Sequence, residues 1–431
     1  MPRRSERKQR IAESAASLNR MRKHCVLLAA TKASKQMLDN FCDVCSVQCT
    51  NHSKLVNNRC LKPRNKNRMC KGPSVFIRHL KGKVGRKYYF NDKEFLRTHR
   101  MGRETFKKLC NEIADHPNFT SGKKSDKQKK EHVREHLLHF LNFIGTFGDG
   151  SSNEHSRAKY EKGSGTCENY RNRIMDAIID NMKDKCYCWP DTDERKDISH
   201  QIFQKYEFPN CLGFIDGTLF PLYFKPRRED CGDYYGRKMG YSLSVLFACD
   251  HNLCIRYFNA GWPGSTHDDR VFRNCDVFKN KEKYFSLLEY SLGDSAHANK
   301  NFLLAAYEKP IGRAISEEDV LFNDMMKPAR ARIEHCIGLL KNRFQMLKSV
   351  RFVLNEGQKS MEKTIKHITC CVILHNFLIA ENDEGNNYFN EDDDCVSEID
   401  ADNELNCPAN DATNEDERRQ QLTSYFAEMH M

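Results

Sequence analysis

The sequence predicts an α/β domain with a mixed sheet, preceded by a helical region and followed by an acidic tail. Three observations lead there. Residues 205–380 hold strand-like apolar runs, then a further short strand and a long amphipathic helix. Residues 86–204 instead repeat apolar positions at helical spacing. From Glu381 to Glu417 the chain has 15 acidic residues and no Lys or Arg, which reads as a disordered tail.

The organisation is therefore four parts: a basic, largely irregular arm (1–85), a helical region (86–204), the α/β domain (205–380) and the acidic tail (381–431). The arm carries two basic clusters, Arg3, Arg4, Arg7, Lys8 and Arg10, then Lys62, Arg64, Lys66 and Arg68. Either suits nuclear import machinery or phosphate contact. Cys42 and Cys45 have a spacing that suits one zinc ion, with Cys49 and His52 nearby, but no second matched pair follows. The spacing therefore leaves zinc ligation and unliganded thiols both open.

In the helical region Met101, Phe106, Leu109 and Ile113 fall on one face of a helix over Phe95–Ile113. A second, apolar helix covers Val133–Phe147 and stops at Gly148 and Gly150. A third covers Thr166–Met182, with Ile174 and Ile178 inward and Arg171, Arg173 and Lys183 outward. This order is helix-turn-helix-like and would offer Arg171 and Arg173 to DNA. An ordinary bundle packed on the next domain is the other reading.

In the α/β domain, strands are expected over Cys211–Phe224, Tyr241–Ala248 and Cys254–Ala260, the last two joined at Asp250–Asn252 as a hairpin. Gly261–Gly264 ends that run, and Asp268–Lys279 can start a helix. Leu287–Leu292 is a short strand. Ala329–Leu347 is a helix whose residues Ile333, Ile337, Leu340, Phe344 and Leu347 step by four and three.

Charge points towards a polyanion. Removing the tail's 15 acids from the chain's 59 leaves 44 against 70 Lys and Arg. A body that basic suits nucleic acid, although a merely solubilising surface would look the same. No apolar run approaches the roughly 18 residues of a membrane span. No apolar segment follows the basic N-terminus, so no secretory signal is read there, and the 20 cysteines read as reduced thiols of an intracellular protein.

Four acids sit where chemistry is carried. Asp216 interrupts an apolar strand, GFIDGTLFPL, where a carboxylate is costly unless hydrogen-bonded or bound to a cation. Asp294 follows a short strand in YSLGDSAH, and strand ends collect sites in α/β sheets. Glu334 borders the stripe of the long helix, and Asp268 lies at a loop-to-helix junction. Together they suggest a cage for a hard divalent cation such as Mg²⁺. Each also has a plain structural explanation. Asp268 could cap its helix, Asp294 its turn, and Glu334 could pair with Arg330 or Lys341.

The blocks GFIDGTLFPL, GWPGSTHDDRVFRN, LGDSAHANKNFLL and FNDMMKPARARIEHCIGLLKNRF occur in that order, followed by HITCCVILHNFL. Together they resemble the DDE endonuclease domain of the PIF/Harbinger transposases and the nucleases domesticated from them. The helical blocks RMGRETFKKLC and HLLHFLNFIGTFGDG are similar to that family's N-terminal part, so the resemblance spans about Tyr88–Ala380. It implies an RNase H-like fold with Asp216, Asp294 and Glu334 as the catalytic acids. Asp268 is implied as a further metal ligand, with Asp269 the adjacent alternative. Ala296 and His297 stand where the family often has an aromatic residue.

The implied activity is a metal-dependent DNA endonuclease or transposase. It would cleave, and in a transposase join, phosphodiester bonds with two Mg²⁺ or Mn²⁺ ions about 3.5–4 Å apart. Arg330, Arg332, Lys341 and Arg343, beside Glu334, could meet the backbone of double-stranded DNA. The resemblance also implies a Myb-like DNA-binding partner protein and a nuclear location, with the cytoplasm as the other compartment. A domesticated, catalytically silent DNA- or protein-binding module is the alternative, and the sequence leaves oligomeric state and DNA target open.

Overall fold

The computed structural model describes residues 11–21, 23–24, 35–57, 90–120, 126–160, 162–308, 315–391 and 416–430. The chain divides into two units, Met1–Gly72 and Pro73–Met431. Both basic clusters of the N-terminal arm, Cys60 and Cys70 lie outside the described residues.

The first unit contains helices α1 (11–21) and α2 (Lys35–Asn57), so the arm is more regular than its composition suggested. Phe41, Cys45, Gln48 and His52 recur at helical spacing and are half-buried positions of α2. His52 Nδ1 meets Ser14 Oγ of α1 at 3.1 Å. Cys42 and Cys49 are exposed, and the described residues include no cluster that could hold a metal ion there.

In the second unit, the helix expected over Phe95–Ile113 is two: α3 (Asp92–His99) and α4 (Arg103–Ile113). Asn91 and Glu94 form a reciprocal capping box that starts α3, and Arg100 ends it with φ of 64°. Then come α5 (Asp126–Ile144), α6 (Asn153–Tyr160), α7 (Ser164–Cys186) and α8 (Thr192–Tyr206). The charged segment of α8 hid it from the sequence reading, yet Asp191 caps it by accepting from Asp193 and Glu194 N–H.

The sheet holds β1 (Cys211–Pro221), β2 (Tyr235–Gly236), β3 (Gly240–Cys249), β4 (Ile255–Pro263), β5 (Tyr290–Gly293) and β6 (Leu303–Ala305). Its main order is β4-β3-β1-β5-β6, with the two-residue β2 paired to the start of β3. The pairs β1–β3 and β3–β4 are antiparallel, whereas β1–β5 and β5–β6 are parallel. This mixed sheet is the RNase H-like arrangement. The hairpin turn expected at Asp250–Asn252 is present. Asp250 Oδ1 accepts from Asn252 and Cys254 N–H, and Leu253 takes φ of 65°.

Strand alternation sorts the core into two layers. Phe214, Val245, Phe247 and Leu292 pack towards the long helices, while Ile215, Leu246 and Ala248 pack towards Val271, Phe272 and Val277 of the short helices α9 (Asp268–Arg273) and α10 (Asp276–Lys279). The first layer holds α11 (Glu317–Arg343) and α12 (Lys359–Ala380). The long helix begins twelve residues before the expected Ala329 and runs through Pro328. Ser316 caps it, three acids fill its first turn, and Phe322 and Met326 bury its early face. α12 is apolar nearly all round because it is wedged between α7 and β4, as a helix buried on every side must be. Its Asn376 brackets Ile255, accepting from its N–H and donating to its carbonyl, both at 2.8 Å.

The acidic segment expected as a tail from residue 381 is ordered at both flanks. Helix α13 (Gly385–Glu391) follows buried Asp383, and α14 (Glu417–His430) packs on α11. Residues 392–415 lie outside the described residues. Phe426 is fully buried against Phe208 and Phe322, and Arg419 stacks on Tyr307 with its guanidinium carbon 3.9 Å from the ring centroid. Low apolar content had concealed α14, whose buried side chains are Leu422, Thr423 and Phe426. No helix among the described residues is long and apolar enough to cross a membrane.

Removing the Phe426 ring should create a cavity between α14, α11 and Phe208. Phe426→Ala is expected to lower unfolding free energy by about 3–5 kcal/mol in a denaturant titration. A change near zero would mean α14 does not pack there in solution.

Candidate active site

Asp216 sits in the middle of β1 and Asp294 one residue past β5. The parallel register pairs Ile215 with Gly293, so the two following residues, both aspartates, emerge side by side. The even-numbered face of β1 that carries Phe214 also carries Asp216 and Thr218, and it points towards α11. On α11, Arg330, Glu334 and Lys341 share one stripe at spacings of four and seven. Arg330 Nη2 lies 3.6 Å from Asp294 Oδ2. Lys341 Nζ donates to Thr218 Oγ1 at 2.7 Å and Leu219 O at 3.1 Å. Glu334 is exposed between those two anchors, and both cations that could have paired with it are engaged with the sheet instead.

Asp268 joins from the other side. An ideal Cβ at Gly217 would fall 2.5 Å from its Oδ1, so the carboxyl lies directly over the glycine and only a hydrogen leaves room for it. His267, not Asp268, caps α9 through Nδ1. Asp269 points elsewhere: it accepts from Ala298 N–H at 3.2 Å and pairs with Arg273 at 2.6 Å. The structure thus sets Asp268 rather than Asp269 beside Asp216 and Asp294. Asp294 does serve its turn, accepting the Ala296 N–H.

The electrostatics follow from crowding. Burial, reinforced by the Asp294 carboxylate, pushes the Asp216 carboxyl up to about 7. Arg330 and the Gly217 N–H, which donates to Asp216 Oδ1 at 2.8 Å, only partly oppose this. Burial also raises Asp268, and Asp294 adds to it. Lys341, whose ammonium burial brings down to about 8, is crowded further by Lys238 and Lys348.

Among the described residues no three acidic, histidine or cysteine side chains are gathered tightly enough to hold a metal ion as they stand. The donor chemistry nevertheless fits one: hard carboxylate oxygens whose mutual repulsion a divalent cation would relieve. Arg330 is the cation at Asp294 in this structure.

The structure brings Asp216, Asp268 and Asp294 near one another, while Glu334 lies exposed on the α11 stripe that carries Arg330 and Lys341. One neighbouring residue was not singled out in the sequence as part of this site: His297. That ring is buried beside Phe272, its Nδ1 has no hydrogen-bond partner, and Asp294, Asp268 and Asp269 all act on it electrostatically. The departure from an aromatic residue at this position was the available signal.

Two expected DNA contacts are corrected. Arg343 is fully buried, donates to Asn386 Oδ1 at 2.6 Å and lies over Phe389. Arg171 is buried over Phe143 and donates to Asn153 at 2.5 Å, because α7 is the centre of the helical bundle. Neither can reach a phosphate. Arg332 is half-buried and donates twice to His251 O, holding the β3–β4 turn. Arg173 is exposed, as expected.

Residues 215–376, which include all four acids, match the DDE superfamily endonuclease family. This chain carries a DDE superfamily endonuclease domain. The chain is also similar to the ALP1-like protein of Arabidopsis thaliana. That protein is 25% identical over 210 residues, which cover 46% of this chain and 49% of the relative. The chain therefore spans about half the length of the curated relative it matches. No solved structure matches it.

A carboxyl raised from its usual value near 3.8 to about 7 binds its proton in the folded state while the unfolded chain releases it. In metal-free protein this contribution is full below about pH 4 and lost as pH rises through 7. Asp216→Asn removes the loss, so its melting temperature should exceed wild type above pH 7, the gap closing towards pH 4. A gap independent of pH would refute the charge crowding at Asp216.

Proposed function

We propose that the domain is a metal-dependent DNA endonuclease. The single observation carrying this reading is the convergence of Asp216, Asp268 and Asp294 across β1, β5 and α9, with Glu334 on the facing stripe of α11. Polyanion hydrolysis needs positioning and charge neutralisation rather than a protein nucleophile, and these residues supply oxygen ligands within a basic body.

Asp216, Asp268, Asp294 and Glu334 would hold divalent cations, Mg²⁺ or Mn²⁺, which supply activation of a water or DNA 3′ hydroxyl and stabilisation of the leaving oxygen. Gly217 lets the Asp268 carboxyl approach β1. Lys341 fixes the distance between α11 and β1 through Thr218 and Leu219. Arg330 balances Asp294, and its guanidinium would also be available to a backbone phosphate. Work on DNA implies a nuclear location, and a Myb-like DNA-binding protein would supply target recognition.

A silent, domesticated binding module is the second reading, favoured by the Arg330–Asp294 pair, which neutralises a catalytic acid without any metal. Incubating labelled duplex DNA with Mg²⁺ or Mn²⁺ separates the two. The nuclease reading expects cleavage by wild type and at least about a hundredfold loss in Asp294→Asn, with DNA binding retained. Full cleavage by that variant would remove Asp294 from the mechanism. No cleavage by wild type with either ion would leave the binding module.

A further inference from the structure

Beyond the acids, β1 leads to an unusual surface. After Pro221 the chain runs beside residues 350–355, with parallel bridges Leu222↔Val350 and Arg227↔Asn355. Tyr223 N–H donates to Val350 O at 2.9 Å, and Arg227 N–H to Leu354 O at 2.7 Å. The backbone is thus fixed along this segment. Its two aromatic side chains are not covered: Tyr223 is 51% and Phe224 37% exposed.

Their rings meet edge to face at 4.8 Å. The Arg351 guanidinium lies 3.7 Å from the Tyr223 centroid and 5.6 Å from that of Phe224. Asp149 holds that guanidinium at 2.7 Å, so one side of Tyr223 is backed and rigid while much of the ring faces solvent. Lys225 and Arg227, both exposed, follow the pair in sequence. Between the pair and the acids lie Lys341 at Thr218, with Lys348 and Lys238 close enough to act on it.

A rigid aromatic face with exposed Lys225 and Arg227 following it in the chain fits a base and its phosphates better than an apolar protein surface. Seven residues of extended chain separate Tyr223 from Asp216, about 23 Å at the strand rise. The surface would therefore meet DNA flanking the reacting phosphate, not the phosphate itself.

We propose that Tyr223, Phe224 and Arg351 form a stacking platform for an unpaired base of a DNA strand flanking the cleavage site. The proposal rests on the nuclease reading for its choice of DNA, and it names the part of the substrate that this surface takes. Duplex bases are already stacked and leave no free face for Tyr223, so the platform selects single-stranded or frayed DNA.

The test is fluorescence anisotropy with the full chain, using a labelled thymidine oligonucleotide single strand and a blunt duplex. Tyr223→Ala should weaken single-strand binding about tenfold or more and leave duplex binding unchanged. Tyr223→Trp should keep wild-type affinity, whereas Tyr223→Leu, which preserves bulk over Arg351, should behave like Ala. Matching thermal unfolding curves confirm that the variants fold. Unchanged single-strand affinity in Tyr223→Ala, an equal loss on duplex, or Trp as weak as Ala would each overturn the platform. Cleavage is read separately. Wild type that binds single strands through Tyr223 yet cuts nothing with Mg²⁺ or Mn²⁺ keeps the platform and loses the nuclease reading. Wild type that cuts, with Tyr223→Ala binding undiminished, does the reverse.

Discussion

Like charges repel strongly where water is scarce, and the parallel pairing of β1 with β5 forces that situation on this chain. Once Ile215 stands opposite Gly293, Asp216 and Asp294 have nowhere to go but next to each other. Asp268 then approaches over Gly217, where a Cβ would fall 2.5 Å from its carboxyl. The Asp216 carboxyl responds by holding its proton up to about 7. The protein answers the charge in two further ways. Arg330 reaches Asp294, and Lys341 ties the same helix to β1. A fold that only needed stability would place apolar residues here, as it does at Phe214 and Phe220 on the same strand.

Much of the remaining architecture keeps those strands and that helix in place. α12 inserts between the helical bundle and β4, and Asn376 completes both backbone groups of Ile255 while donating to Cys186 O at 2.7 Å. Arg332 braces the β3–β4 turn from the helix that carries Glu334. On the far side Arg418 donates to carbonyls of Leu287, Glu289 and Asn301, around the start of β5 and the approach to β6. α14 thereby covers elements next to the loop that carries Asp294 and His297.

Asp216 and Asp294 were legible because a carboxylate inside an apolar strand, or at the end of one, has few reasons to be there, whereas Asp268 and Glu334 sit where helix caps and surface pairs are ordinary. The hairpin was legible from Asp250 to Asn252 between two β-rich runs. Helix ends were harder. The long helix was expected only from Ala329, yet it runs on through Pro328, with Phe322 and Met326 burying its earlier face. α8 and α14 were hidden by their charge, since two or three buried side chains suffice once the partner surface already exists. The three-residue β6 has too little sequence to show a period. Basic residues were the least legible of all. Arg171 and Arg343 look like phosphate ligands in a basic helix, but a guanidinium can also be buried over an aromatic ring with an amide partner, as both are here.

The crowding of Asp216, Asp268 and Asp294 is what a divalent cation would relieve. Anomalous scattering from crystals of the full chain soaked in Mn²⁺ tests this directly. The expected result is a manganese peak bounded by Asp216 and Asp294, with Arg330 moved away from Asp294. The contradicting result is an empty anomalous map between those residues at saturating Mn²⁺, with the Arg330–Asp294 pair still intact.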